Sequence, residues 1–181
     1  MPEMSNPKVF FEVAINNKSI SNIPSPLRLE FEVYIDKAPK ISQHFLSLCK
    51  GLQHNDSFVS YRGCSFFRII PGFFAICGDI QRNNGSGSFC LDPHGFISDE
   101  ENNISHNQIG LLSTYNHGPN TNDSQFIITL GSNLEYLNGR HTVFGKITSN
   151  TLENLLLLEK LGSLEEPLDP NDVSILHCNG F

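Results

Sequence analysis

Residues 27–35 read LRLEFEVYI, with apolar and polar side chains in almost perfect alternation. A period of two puts Leu27, Leu29, Phe31, Val33 and Ile35 on one face of an extended strand. That face must be covered, either by a second layer or by the curl of the strand's own sheet. Other β-rich runs are short: 9–15, 64–70, 73–80 beyond a Pro71-Gly72 turn, 109–113, 126–130 (FIITL), 142–147 (TVFGKI) and 173–178. Two segments have helical character instead. Pro39 suits a first helical turn, and Ile41, Phe45 and Leu48 follow at i, i+4, i+7 before a stop at Gly51. Residues 152–161, LENLLLLEKL, form a second apolar helix ended by Gly162. About eight short strands and two helices predict a mainly β fold, a closed or nearly closed barrel with helices over its ends. Residues 52–61 are polar and irregular and read as surface loop.

The 181 residues suit one domain spanning 1–181, with no internal repeat. A net charge of -7 argues against a nucleic-acid partner held by broad electrostatic attraction. No apolar run reaches the ~20 residues of a membrane helix. The first residues lack the basic-then-apolar layout of a signal peptide. Five cysteines without close pairs then read as free thiols in a reducing compartment, so a cytoplasmic or nuclear location is expected. A monomer is expected as well.

Several kinds of chemistry find no support. Gly85-Ser86-Gly87 lacks the Lys-Ser/Thr ending of a phosphate loop. Seven scattered histidines form no metal-ligand spacing. Ser113 and Ser124 have no nucleophile elbow around them. The informative cation is Arg68, placed among Phe66, Phe67, Phe73 and Phe74. An arginine cannot shed its proton, so amid phenylalanines it is either paired structurally or kept for chemistry. Asn116 and Gln125 flank a stiff Gly118-Pro119 loop, and Tyr136, Leu137 and His141 form a further cluster. Together they suit an apolar groove with a few aimed donors, a shape that fits a flexible proline-containing peptide.

With VFFEVAI, FRIIPGF at 67–73, GPNTNDSQFIIT at 118–129 and LEYLNGRHTVFGKI at 134–147, the chain resembles the cyclophilins, the cyclosporin-binding peptidyl-prolyl cis-trans isomerases. The resemblance covers about residues 9–178. It implies an eight-stranded antiparallel closed β-barrel capped by two α-helices, and no cofactor or metal. It also implies a site, position by position. Arg68 matches the catalytic arginine. Phe73 and Phe74 match the walls of a proline pocket, Asn116 an asparagine whose backbone holds substrate, and Gln125 a groove glutamine. Leu137 and His141 match the remaining pocket residues.

Four departures shape the expected activity. Ile76 stands where the family usually has a glutamine beside the arginine. Ile127 replaces a phenylalanine at the pocket floor. Tyr136 replaces a tryptophan linked to cyclosporin binding, so cyclosporin is expected to bind more weakly. Tyr115 and His117 replace alanines beside Asn116. A weakened or selective isomerase acting on proline-containing peptides is therefore expected. A non-catalytic proline-peptide binder and, with less support, a thiol protein built on Cys64, Cys77 and Cys90 are the competing readings.

Overall fold

In the computed structural model, residues 5–16 and 22–181 are described below. The turn expected at Asn16-Asn17 and the loop beginning at Ser21 fall partly outside these residues. The strands are β1 (Lys8–Ile15), β2 (Leu27–Val33), β3 (Leu52–His54), β4 (Ser57–Val59), β5 (Arg68–Ile70), β6 (Phe74–Cys77), β7 (Leu111–Thr114), β8 (Phe126–Thr129), β9 (Val143–Ile147) and β10 (Val173–Gly180). The helices are α1 (Pro39–Lys50) and α2 (Leu152–Glu159). Eight strands form one antiparallel sheet in the order β10-β1-β2-β9-β7-β8-β6-β5.

The sheet curls around its core and does not close. The end strands β5 and β10 share no ladder, which corrects the expected closed barrel. The residues ahead of β5 span part of the seam instead: Gly63 N–H donates to Ile175 O (2.7 Å), and Phe66 N–H to Val173 O (2.9 Å). Beyond them the outer edge of β5 is taken by the chain after α2. Ser163 N–H donates to Ile69 O and Leu168 N–H to Phe67 O, each at 3.0 Å. A backbone edge already bonded to one segment cannot also pair with β10.

The alternation in β2 works as its period requires. Leu27, Leu29, Phe31 and Val33 are buried, and the residues between them are partly exposed. Inside the curl, Phe11, Tyr61, Phe126 and Phe144 surround Phe45 of α1, with ring centroids 5.0 to 6.0 Å from it. Burying this one helical phenylalanine among four rings fixes α1 over one end of the sheet. No side chain of its own caps α1; the Glu100 carboxylate accepts the N–H groups of Lys40 and Ile41 instead, at 3.2 and 2.7 Å.

Residues 52–61 are not wholly irregular. They contain the hairpin β3–β4, with Leu52 opposite Val59 and Asn55-Asp56 as its two-residue turn. Both turn residues have positive φ, 47° and 66°. Asparagine and aspartate tolerate that conformation, but without a glycine the usual hairpin signal is muted. No helix among the described residues is long and apolar enough to cross a membrane.

Candidate active site

Register decides which side chains meet. Arg68 lies opposite Ile76, Ile76 opposite Ile127, and Ile127 opposite Ser113, a row across β5, β6, β8 and β7. Directly opposed residues project from the same face of a sheet. The next row, Ile69, Ala75, Ile128 and Leu112, is fully buried in the core. Arg68 and its row therefore lie on the outer face of the curl.

On that face Ile76, Ile127, Leu137, Leu134 and Phe67 form a second buried apolar cluster, separate from the main core, with Phe74 and Tyr115 packed against it. Ile76, Ile127, Leu137 and Phe74 were expected at the site. Phe67, Leu134 and a packed Tyr115 complete it, and alternation alone would not have drawn these from three separate segments. Phe73 and Tyr136 are exposed large hydrophobics, Tyr136 at 55%. Exposed rings of this size offer apolar surface to a partner.

Arg68 is half-buried, and its Nη2 donates to Leu164 O at 3.1 Å. Among the described residues the ion pairs are Arg28 with Glu12 and Glu30, and His94 with Asp92. Among the described residues Arg68 is in no ion pair, and the structural partner it has is the neutral Leu164 carbonyl.

The loops that frame the face are held by polar groups. The Asn116 side chain donates to Asn122 Oδ1 (3.0 Å) and to Arg140 O (2.8 Å). Its own backbone N–H and C=O make no hydrogen bond among the described residues. Gln125 is 2% exposed; its Nε2 donates to Gly87 O (2.9 Å) and Gly85 O (3.4 Å), while its Oε1 has no partner among the described residues. It ties down the 79–88 loop from beneath. Asp79 does so from within. Its buried carboxylate accepts the N–H groups of Gln81, Arg82, Asn84, Gly85 and Gly87. Burial opposes that charge, but the backbone donors outweigh it and hold the carboxyl below its ordinary range. Gly87 has to be a glycine, since an added Cβ would lie 2.0 Å from Asp79 Oδ1. Gly85 in turn packs on the Phe67 ring.

Two histidines tie the framing segments to β7. His141 donates from Nδ1 to Thr114 O (2.9 Å), and burial lowers its pKa. His106, fully buried, donates from Nδ1 to Asn138 Oδ1 and accepts the Ser113 hydroxyl at Nε2, both at 2.7 Å. Burial lowers its pKa as well. The His106 bridge joins the 137–141 segment to β7 beneath the apolar cluster.

A cleft of about 480 Å³ lies beside this face, between residues 99–105 and 138–142, and touches the candidate residues only through His141. Among the described residues no group of three His, Cys, Asp or Glu side chains could hold a metal ion. Burial raises the Cys64 pKa to about 12, and Cys49, Cys77, Cys90 and Cys178 also shift upward.

A permanent cation with no carboxylate partner among the described residues, beside an enclosed apolar cluster, suits a reaction that needs charge and an anchor but no nucleophile. The family model for cyclophilin-type peptidyl-prolyl cis-trans isomerase/CLD matches residues 20–180. The chain belongs to the cyclophilin family. The mainly β curl with two helices is consistent with the cyclophilin fold. Within this cyclophilin, the motifs FRIIPGF and GPNTNDSQFIIT supply β5, β8 and the loop before β8.

Proposed function

We propose that this chain is an active isomerase of X-Pro bonds in peptides and proteins, assisting the folding of proline-containing clients. Arg68 opposes amide resonance, and the apolar cluster holds the proline ring. The observation that carries the reading is Arg68, without a carboxylate partner among the described residues, in the same strand row as Ile76 and Ile127.

The chemistry asks for little else. Rotation about a peptide bond meets a barrier of ~18–20 kcal/mol because resonance keeps the amide planar. An enzyme must bind the twisted amide more tightly than either planar form. Twisting returns a lone pair to the proline nitrogen, and a guanidinium donating there disfavours its return to resonance. Arginine brings a fixed charge and several donors. Ile76, Ile127, Leu137 and Phe74 would anchor the pyrrolidine, while the free backbone of Asn116 would hold the residue before it. Gln125 and His141 would act by holding the framing loops, and Phe73 and Tyr136 as an apolar rim.

A protease-coupled assay on an Ala-Pro peptide tests this. The natural chain should exceed the uncatalysed rate, and Arg68→Ala should lower kcat/KM about 100-fold, as loss of one transition-state donor does elsewhere. A natural chain with no excess rate would sink the enzyme reading.

The second reading is a non-catalytic proline-peptide binder. Ile76 favours it, because the residue opposite Arg68 has no polar group to orient the guanidinium. Peptide affinity without rate enhancement would select it. Cyclosporin is proposed to bind weakly, with Tyr136 lacking an indole N–H; submicromolar affinity by calorimetry would refute this.

A further inference from the structure

Arg68 faces an aliphatic neighbour across its strand pair, so whatever fixes the guanidinium must come from elsewhere. The described structure offers one contact, the carbonyl of Leu164 at 3.1 Å, 96 residues further along the chain. The segment that carries this carbonyl is not a loose loop. Ser163 N–H donates to Ile69 O and Leu168 N–H to Phe67 O, so the segment bonds the backbone on both sides of Arg68. At its start, Glu159 Oε2 accepts the N–H of Gly72 in the β5–β6 turn at 2.9 Å. Gly162 lets the segment lie this close. An added Cβ there would sit 2.3 Å from Ile69 O and 2.7 Å from Ile69 Cγ2, both belonging to the residue after Arg68. The obstructing oxygen is backbone in a paired strand and cannot swing aside.

We infer that residues 162–168 are the positioning element for Arg68: Gly162 seats the segment against β5, and the Leu164 carbonyl orients the guanidinium in place of a polar partner at position 76. The inference rests on the isomerase reading for its effect on rate. A carbonyl does this well, because it accepts an N–H without neutralising the charge that the reaction needs. A carboxylate in the same place would bind the guanidinium more tightly and reduce its pull on the proline nitrogen.

The experiment uses the full chain. Gly162→Ala should push the segment away from β5 and lower kcat about tenfold or more, as small misplacements of a catalytic group do, with KM within about twofold. Ile76→Gln on the Gly162→Ala background should recover most of that loss, because the glutamine offers Arg68 a second polar partner across the ladder. A merely structural role for Gly162 would not be rescued from position 76. An unchanged kcat in a folded Gly162→Ala chain, or a loss that Ile76→Gln does not reverse, would overturn the inference. If Gly162→Ala does not fold, the Arg68 guanidinium of the natural chain is observed by NMR. Resolved, slowly rotating Nη–H signals support the Leu164 contact, and a freely rotating guanidinium refutes it. An inactive natural chain with restricted Nη–H signals would count against the isomerase reading while leaving the positioning contact standing.

Discussion

Tyr115 shows how a single side chain sets the shape of the proposed pocket. It follows β7, its N–H donates to Gln125 O (3.3 Å), and its ring packs against the cluster containing Ile76, Ile127 and Leu137. His117 braces that ring edge-on, with centroids 5.5 Å apart. A half-buried ring held on two sides takes up space that a small residue would leave to substrate. Tyr115→Ala should therefore widen tolerance for bulky residues two positions before proline. The ratio of kcat/KM for a peptide with phenylalanine there to one with glycine should rise about tenfold, a pocket-size effect of ordinary magnitude. An unchanged ratio across such a peptide pair would place Tyr115 outside the substrate path. The sequence exposed Tyr115 as an oddity beside Asn116, but only packing shows which way its ring is committed.

At the scale of elements, the 79–88 loop stands out because it has no regular structure and yet is rigidly specified. One carboxylate collects five backbone N–H groups from it, and the Gln125 amide takes two of its carbonyls. Asp79→Asn keeps one acceptor oxygen but presents an amide to donors that need an acceptor. It should cost about 2–4 kcal/mol, since hydrogen bonds to a charged group contribute more than neutral ones and unmet donors add to the loss. Urea unfolding would measure it. Because Gly85 packs on Phe67, peptide binding should weaken alongside. The strands and helices around this loop were readable from periodicity, Pro39 and Gly51 included. The loop was readable only as Gly-, Asn- and Ser-rich, and nothing local marks Asp79 as its centre. The β3–β4 hairpin was missed for a related reason: its pairs are mixed in polarity and its turn lacks glycine.

For the whole molecule, two buried titrating groups pull stability in opposite directions with pH. Burial pushes His44 down to about 4 from 6.5; its Nε2 accepts the Leu91 N–H at 3.0 Å. The unfolded chain then binds the extra proton, so this contribution rises with pH between about 4 and 6.5. Burial pushes Asp123 up to about 6 from 3.8, against the Gln125 N–H that favours its charge. Here the folded chain binds the extra proton, so the contribution falls as pH rises from 3.8 to about 6. The two slopes overlap and offset between about pH 4 and 6. Asp123→Asn removes one of them. The variant should gain on the order of 2–3 kcal/mol near pH 7.5 and then lose stability steadily below about pH 6.5. Urea midpoints across that range would show it, and a variant no more stable than the natural chain near pH 7.5 would contradict the assignment.

The sequence by itself determined the eight strands of the large sheet, the two helices and the buried face of β2, because these follow from local periodicity and turn chemistry. It did not determine the closure of the sheet, which was expected and is absent, since the edge of β5 is already bonded to the chain after α2. Nor did it show that Arg68 meets a carbonyl 96 residues away, that Glu100 caps α1 from a distant loop, or that Asp123 is buried. Those are hydrogen-bond and burial relations between segments far apart in the chain. A polar group's partner is chosen by the fold, and no periodicity in its own neighbourhood records the choice.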